Sequence, residues 1–232
     1  MARHQQSSRV ANGQVEMVVQ HEQTKQRGGR ELRVLQHNCA KGKQAVEVLL
    51  EMAIQKEVDI VIIQEPTTGR GSTARHDSFR WIKEEVGKPA RCWTAVNKAS
   101  GCRVTELREQ TKESRNCVQV LQVVREGDEP LTLVNVYDQT PRGEGKRLAW
   151  QAEWGSIMRA PRVVIAGDMN AHSEPWNPRT KKMVNAQFWE GLVEEHELVI
   201  WNSEEGMRVG PGTEKTSIID LTLTSPAVAL NW

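Results

Sequence analysis

Five short apolar segments, each ending in or carrying a polar side chain, constrain this chain more than any other feature. They are residues 32–38 (LRVLQHN), 59–65 (DIVIIQE), 131–137 (LTLVNVY), 162–170 (RVVIAGDMN) and 217–223 (SIIDLTL). Short β-branched and aliphatic runs bounded by turn-forming residues have the length and composition of buried strands. An Asn, Glu, Tyr or Asp in such a strand costs free energy unless it finds a partner. Their repeated placement near the strand ends predicts polar groups meeting at one rim of a sheet, which is how an active site is built.

The segments between these strands set the architecture. Residues 44–57 place Val46, Leu49, Leu50, Ala53 and Ile54 at helical spacing, with the next strand two residues on, giving a β-α-β unit. Residues 67–78 are Gly-rich and polar, a loop, and 79–85 is assigned a short helix. Four strands are expected at 91–96, 102–107, 117–124 and 131–137, with Gly127-Asp128 turning the last hairpin. A helix is predicted over 146–158, with Trp150, Trp154, Ile157 and Met158 on one face, and another over 186–196. Strands follow at 198–201 and 217–224. Helices between strands early and late, around a block of consecutive strands, predict an α/β fold of two packed mixed sheets with helices outside. Residues 1–30 are rich in Gln, Arg, Ser and Gly and are expected to form a mostly disordered polar leader. The folded domain is placed at 31–232.

Composition narrows the function. A chain of 232 residues can bury the core of one large α/β domain. Its net charge of +1 lacks the strong positive field of a general nucleic-acid binder, so any DNA contact must use local patches. The cysteines at 39, 92, 102 and 117 show no paired metal-ligand spacing and read as reduced thiols. No apolar stretch approaches the roughly 18 residues of a membrane span. An intracellular protein with no membrane partner is expected.

The chemistry-bearing residues fall on the strand ends. In Gly167-Asp168-Met169-Asn170 the glycine permits a sharp turn, and alternation brings Asp168 and Asn170 near one spot. A carboxylate there can orient or deprotonate water, and an amide can donate to a phosphate oxygen. The competing reading is a turn in which both side chains serve only the backbone. Glu65, in Gln64-Glu65-Pro66, suits Mg²⁺, which takes one or two carboxylates alongside waters and substrate phosphate. Asn135-Val136-Tyr137 holds the only tyrosine. Asp220 is flanked by Ile218, Ile219, Leu221 and Leu223, where burying a charge is costly.

Together, Asn38, Gln64-Glu65-Pro66, Asn135-Val136-Tyr137, Gly167-Asp168-Met169-Asn170-Ala171-His172 and Ser217-Ile218-Ile219-Asp220-Leu221-Thr222 resemble, in order, the motifs of the endonuclease/exonuclease/phosphatase superfamily. The pattern is most similar to the apurinic-endonuclease-like domain of non-LTR (LINE-type) retrotransposons. The resemblance spans about residues 31–232 and implies a four-layered α/β sandwich that cleaves a DNA phosphodiester with Mg²⁺, or Mn²⁺ in its place. It implies that Glu65 binds the metal with Asn38 close by, and that Asp168 aligns or activates the attacking water. Asn170 and Tyr137 would contact the scissile phosphate, and Asp220 would orient a histidine that stabilises charge on phosphorus.

In the family that histidine comes from a Ser-Asp-His motif on a later strand and loop. The chain as given ends at Trp232 without that motif. The expectation is therefore a C-terminally incomplete domain of impaired activity, with a sheet edge left open. Two other readings stand beside it: a catalytically silent retroelement relic or nucleic-acid-binding remnant, and a phosphoesterase acting on small phosphate esters. Arg70, Arg75 and Arg80, then Arg142, Lys146 and Arg147, are candidate phosphate contacts. Trp176 is placed to stack on a base or to pack its own loop down. DNA is the expected partner, a downstream reverse transcriptase domain in a longer polypeptide a second one, and the nucleus the expected location.

Overall fold

Side chains alternate across a strand, so each apolar strand here offers one face to a helix and the other to a second sheet. The computed structural model describes residues 10–11, 14–19, 31–42, 44–67, 76–83, 91–114, 116–138, 149–176, 185–202, 208–209, 216–217 and 220–230. The chain begins with β1 (Val10–Ala11), β2 (Gln14–Val19), β3 (Leu32–Asn38), α1 (Ala45–Gln55) and β4 (Ile60–Gln64). There follow β5 (Phe79–Ile82), β6 (Cys92–Asn97), β7 (Arg103–Glu106), β8 (Val118–Val124) and β9 (Leu131–Tyr137). Then come α2 (Trp154–Ile157), β10 (Val163–Asp168), α3 (Ala186–Glu195), β11 (Val199–Ile200), β12 (Arg208–Val209), β13 (Thr216–Ser217), β14 (Asp220–Thr224) and α4 (Pro226–Ala229).

Two six-stranded mixed sheets result, in the orders β1-β2-β3-β4-β6-β5 and β11-β14-β10-β9-β8-β7. Parallel pairs β3/β4 and β9/β10 lie at their centres. Three apolar clusters define four layers. Leu35, Val61, Ile63 and Ala95 of the first sheet pack on Val46, Leu49, Leu50 and Ala53 of α1. Leu32, Val34, Ile60, Ile62, Leu131, Leu133, Val164 and Ala166 fill the space between the sheets. Val134, Val136, Val163, Ile165, Leu221 and Leu223 of the second sheet pack on Trp154 and Ile157 of α2 and Trp189 and Leu192 of α3. This is the α/β sandwich expected from the strand pattern.

Gly167 sets the approach of the two central strands of the second sheet. It adopts φ +149°, and a Cβ built there would lie 1.9 Å from the carbonyl oxygen of Val136, its register partner on β9. Only glycine fits.

Three expectations are corrected. Residues 79–82, assigned to a short helix, form β5 and pair antiparallel with β6 from Phe79↔Asn97 to Ile82↔Thr94. Pairing against a neighbour outweighs the weak local preference of a short segment. The helix drawn over 146–158 is, in its described part, a 3₁₀ turn at Ala149–Gln151 followed by the short α2. Glu153 breaks it with φ −76°, ψ 63°, its N–H donating to Gln110 O instead of back along the helix. Trp150 is consequently 49% exposed, while Trp154 and Ile157 are buried. Finally, within the leader, residues 10–11 and 14–19 are strands, and β2 pairs antiparallel with β3. The rest of 1–30 lies outside the described residues.

β14 is paired on one side with β10 along its length and on the other with β11 at Leu223 and Thr224. Beyond β11, Asn202 continues this edge through its side chain. Its amide donates to Asp220 O (2.6 Å) and accepts from Thr222 N–H (2.9 Å).

Candidate active site

The alternation that puts leucine and valine between the sheets also carries the polar strand ends into that space. On β3 the inward positions run Leu32, Val34, Gln36, Asn38; on β9, Leu131, Leu133, Asn135, Tyr137; on β10, Val164, Ala166, Asp168. In register, Asn38 pairs with Gln64, Asp168 with Tyr137 on one side, and Asp168 with Asp220 on the other. Apolar at one end, the inter-sheet layer becomes polar at the other.

Contacts across the layer tie the site together. Asn38 Nδ2 donates to Asp168 Oδ2 at 2.7 Å, joining the two sheets, and Asn38 Oδ1 accepts from Ala40 N–H at 2.9 Å. Tyr137 hydrogen-bonds the Glu65 carboxylate, and its phenol is pushed above its ordinary range. Burial is the main cause, followed by the charge of Glu65, that hydrogen bond and the charge of Asp168, with Arg91 acting against them. The tyrosine is therefore a neutral O–H donor at physiological pH. Gln36 Nε2 reaches Asp220 Oδ1 at 3.4 Å. The carboxylates of 65, 168 and 220 thus stand at one rim.

Two cations face Glu65: Lys41 Nζ at 3.4 Å and an Arg91 guanidinium nitrogen at 3.3 Å, with Arg91 Cζ 6.0 Å from the centre of the Tyr137 ring. Neither was singled out in the sequence, since Lys41 sits in the loop after Asn38 and Arg91 just before β6. Glu65 and Asn170 both hold positive φ, 44° and 43°. Such conformations cost energy in non-glycine residues and cluster where a side chain must be aimed. The Asn170 turn is held by its own N–H on Asp168 Oδ1 (2.9 Å) and its amide on Asp138 O (2.6 Å). Asp138 is buried and accepts from Trp189 Nε1 (3.0 Å) and Asn185 Nδ2 (3.3 Å), fixing the loop to α3.

The donor chemistry is oxygen throughout, from Glu65, Asp168, Asp220 and the Asn38 amide, which suits a hard cation such as Mg²⁺. Among the described residues no three His, Cys, Asp or Glu converge as a metal cage. Thiol chemistry is disfavoured, since burial pushes the Cys39 thiol, next to Asn38, up to about 12 and raises Cys92 and Cys102 as well.

The candidate DNA contacts divide. Trp176 is 4% exposed, donates Nε1–H to Ala171 O at 2.8 Å and joins the core over the second sheet. It packs its loop down and offers no face to a base. Arg80 lies on β5 and donates to Val104 O at 3.1 Å. Arg70, Arg75, Arg142, Lys146 and Arg147 lie outside the described residues. No helix among the described residues is long and apolar enough to cross a membrane.

Beneath the rim lies a set of buried amides, of which Gln64 and Asn135 stand inside the quoted motifs but were given no role there. Gln36, Gln64, Gln119 and Asn135, with Thr94, are at most 2% exposed and hydrogen-bond one another across both sheets. The available signal was parity: Gln36 and Asn135 each stand two residues before a site residue, on the same strand face.

Residues 132–232 match a family model described as endonuclease-reverse transcriptase. Solved structures agree on the fold over most of the chain. The endonuclease domain of TRAS1, a telomere-specific non-LTR retrotransposon, superimposes with a TM-score of 0.65 at 22% identity, covering 84% of this chain and 85% of that one. The AP endonuclease LMAP from Leishmania major gives 0.60 at 12% identity, covering 97% and 89%. A 3′-5′ exonuclease from Neisseria meningitidis gives 0.57 at 15%, covering 84% and 88%. A search of curated protein sequences returns no match. The chain has the fold of the endonuclease/exonuclease/phosphatase superfamily, and over residues 132–232 it matches the endonuclease-reverse transcriptase family.

Proposed function

We propose that this chain is the Mg²⁺-dependent endonuclease domain of a retrotransposon-type protein, hydrolysing one phosphodiester of DNA to leave a nick. The observation that carries the reading is the pair of contacts, Asn38 to Asp168 and Tyr137 to Glu65, that joins the two sheets at one polar rim. Convergence of distant polar groups at a strand-end rim, at the cost of positive φ in Glu65 and Asn170, is hard to explain by stability alone.

Glu65, with the Asn38 amide oxygen, is the set that would hold the cation, which when bound supplies positive charge beside the phosphate. Asp168 has one oxygen fixed by Asn38 and the other by the Asn170 N–H, so its carboxylate is aimed before substrate arrives. It orients the attacking water and accepts its proton. As water adds to phosphorus, the bond to the 3′ oxygen breaks and that oxygen takes a proton from solvent, giving a 5′-phosphate and a 3′-hydroxyl. Asn170 donates to a phosphate oxygen, and Tyr137, kept protonated, does so once substrate draws its single O–H away from Glu65. Lys41 and Arg91 add cationic charge at the same rim, where fixed donors and charges stabilise the developing negative charge. Asp220 is the carboxylate that would orient a histidine supporting the departing charge.

In this reading the partner is DNA, the freed 3′-hydroxyl serves a reverse transcriptase downstream in a longer polypeptide, and the nucleus is the place of action. Supercoiled plasmid with Mg²⁺ tests it. The expected outcome is conversion to the open circle, lost on chelation and reduced by about 10²-fold or more in Glu65→Ala. Intact plasmid with the wild-type chain, or equal nicking by Glu65→Ala, would overturn it.

A further inference from the structure

The buried amides below the rim form a chain with a direction. Asn135 is the fixed point. Its Nδ2 lies 2.9 Å from the backbone oxygen of Trp93 and 3.3 Å from Gln119 Oε1. A backbone carbonyl can only accept, so this atom of Asn135 must be the NH₂ and the other its oxygen. Gln119 is anchored in the same way, its Nε2 donating to Ile82 O at 3.1 Å while its oxygen accepts from Thr94 Oγ1 at 2.9 Å. With Asn135 Oδ1 committed as acceptor, Gln64 must present Nε2 to it, at 2.7 Å. Gln64 Oε1 is then left to accept, and Gln36 must present Nε2 to that oxygen, also at 2.7 Å. Each assignment forces the next. At the end, the second hydrogen of the Gln36 NH₂ is left for Asp220 Oδ1, which lies 3.4 Å from Nε2.

We propose that Gln36 is a positioning residue for Asp220, held donor-outward by this relay, so that Trp93 O fixes through three amides which face of Asp220 is engaged. The inference rests on the reading of the rim as a hydrolytic site, and gives Gln36, Gln64 and Asn135 a role in it. Gln36 is 2% exposed, and Gln64 and Asn135 are fully buried, so water does not compete for these bonds. Reversing the sense would set acceptor against acceptor at Asn135 and at Asp220, which is costly in an apolar interior, so one sense is kept although it leaves Gln36 Oε1 without a hydrogen-bond partner. A carboxylate that accepts a hydrogen bond from a fixed amide is restricted in rotamer. The relay crosses from β9 of one sheet to β4 and β3 of the other. It therefore also sets the spacing of the sheets where Asn38 meets Asp168.

Two measurements on the full chain decide it. The first needs no activity: side-chain NH₂ resonances of Gln36, Gln64 and Asn135 are followed by ¹H–¹⁵N NMR. The expected result is slow solvent exchange for all three, and a displaced Gln36 NH₂ signal in Asn135→Leu, although Asn135 does not touch Gln36. Gln64→Met, which cuts the middle link, gives the same displacement and serves if Asn135→Leu does not fold. A Gln36 NH₂ that exchanges like an exposed glutamine, or that stays unmoved in the variant that folds, overturns the relay. The second measurement is nicking by Gln36→Met, which keeps shape and removes the donor. Here kcat falls about tenfold with KM for DNA unchanged. A rise in KM alone, or an unchanged kcat, overturns the positioning role. Absence of nicking by the wild-type chain would remove the hydrolytic reading and with it that role, while the NMR arm still judges the relay itself.

Discussion

The layer between the two sheets has two halves built from the same strands and the same faces. In one, Leu32, Val34, Ile60, Ile62, Leu131 and Leu133 make an apolar core; in the other, Gln36, Asn38, Gln64, Asn135, Tyr137 and Asp168 occupy the next inward positions. The apolar half is insensitive to direction, since dispersion and burial ask only for volume and shape. The polar half is sensitive to the orientation of every amide, since each donor needs its acceptor. Continuing a strand by two residues converts stabilisation into positioning. The sandwich thus supports its site without a separate scaffold.

Substitutions probe that division. The largest effect is expected at the seam, in Gly167→Ala. The added methyl meets Val136 O at 1.9 Å on a backbone at φ +149°, so β10 cannot stay in register. Loss of more than about 3 kcal/mol is expected in denaturant unfolding, with little soluble folded protein; a small loss would mean that the strands are not as close as described. Next, Ile62→Ala in the apolar half should cost about 2–5 kcal/mol while any measured kcat of the folded fraction stays near wild type. A selective fall in kcat there would blur the two halves into one. The smallest effect concerns Tyr137, whose phenol is raised above its ordinary value of 10.0. The fold favours the protonated form, so its contribution is full below pH 10 and is lost as pH rises from there towards the folded-state value. Tyr137→Phe should flatten the alkaline decline in unfolding free energy above pH 10; an unchanged decline would place the tyrosine outside the buried rim.

The fold was legible where strands are long and apolar. β3, β4, β9 and β10 were each located by composition, because burial on both faces leaves a near-continuous aliphatic run. Their polar ends pointed to Asn38, Glu65, Tyr137, Asp168 and Asn170 for the same reason. β5 was not legible: Phe79–Ile82 is short and mixed, and only β6 beside it decides its conformation. β2 was obscured by its polar surroundings, although Val15, Val18 and Val19 carried a β-branched signal. The connections of the relay could not be read, because parity marks which face an amide takes and not which distant amide it meets. The partners of Gln64 lie 28 and 71 residues away in sequence. Lys41 and Arg91 were hidden likewise, being ordinary surface cations until the fold brings Glu65 between them.

The most direct test of the polar half as a hydrolytic centre is the single-turnover cleavage rate of a defined DNA duplex by Asp168→Asn with saturating Mg²⁺, after circular dichroism has confirmed that the variant folds. The amide keeps the shape and loses the proton acceptor. A fall of about 10²–10³-fold from the wild-type rate is the predicted result. A folded variant cutting at the wild-type rate would contradict the account.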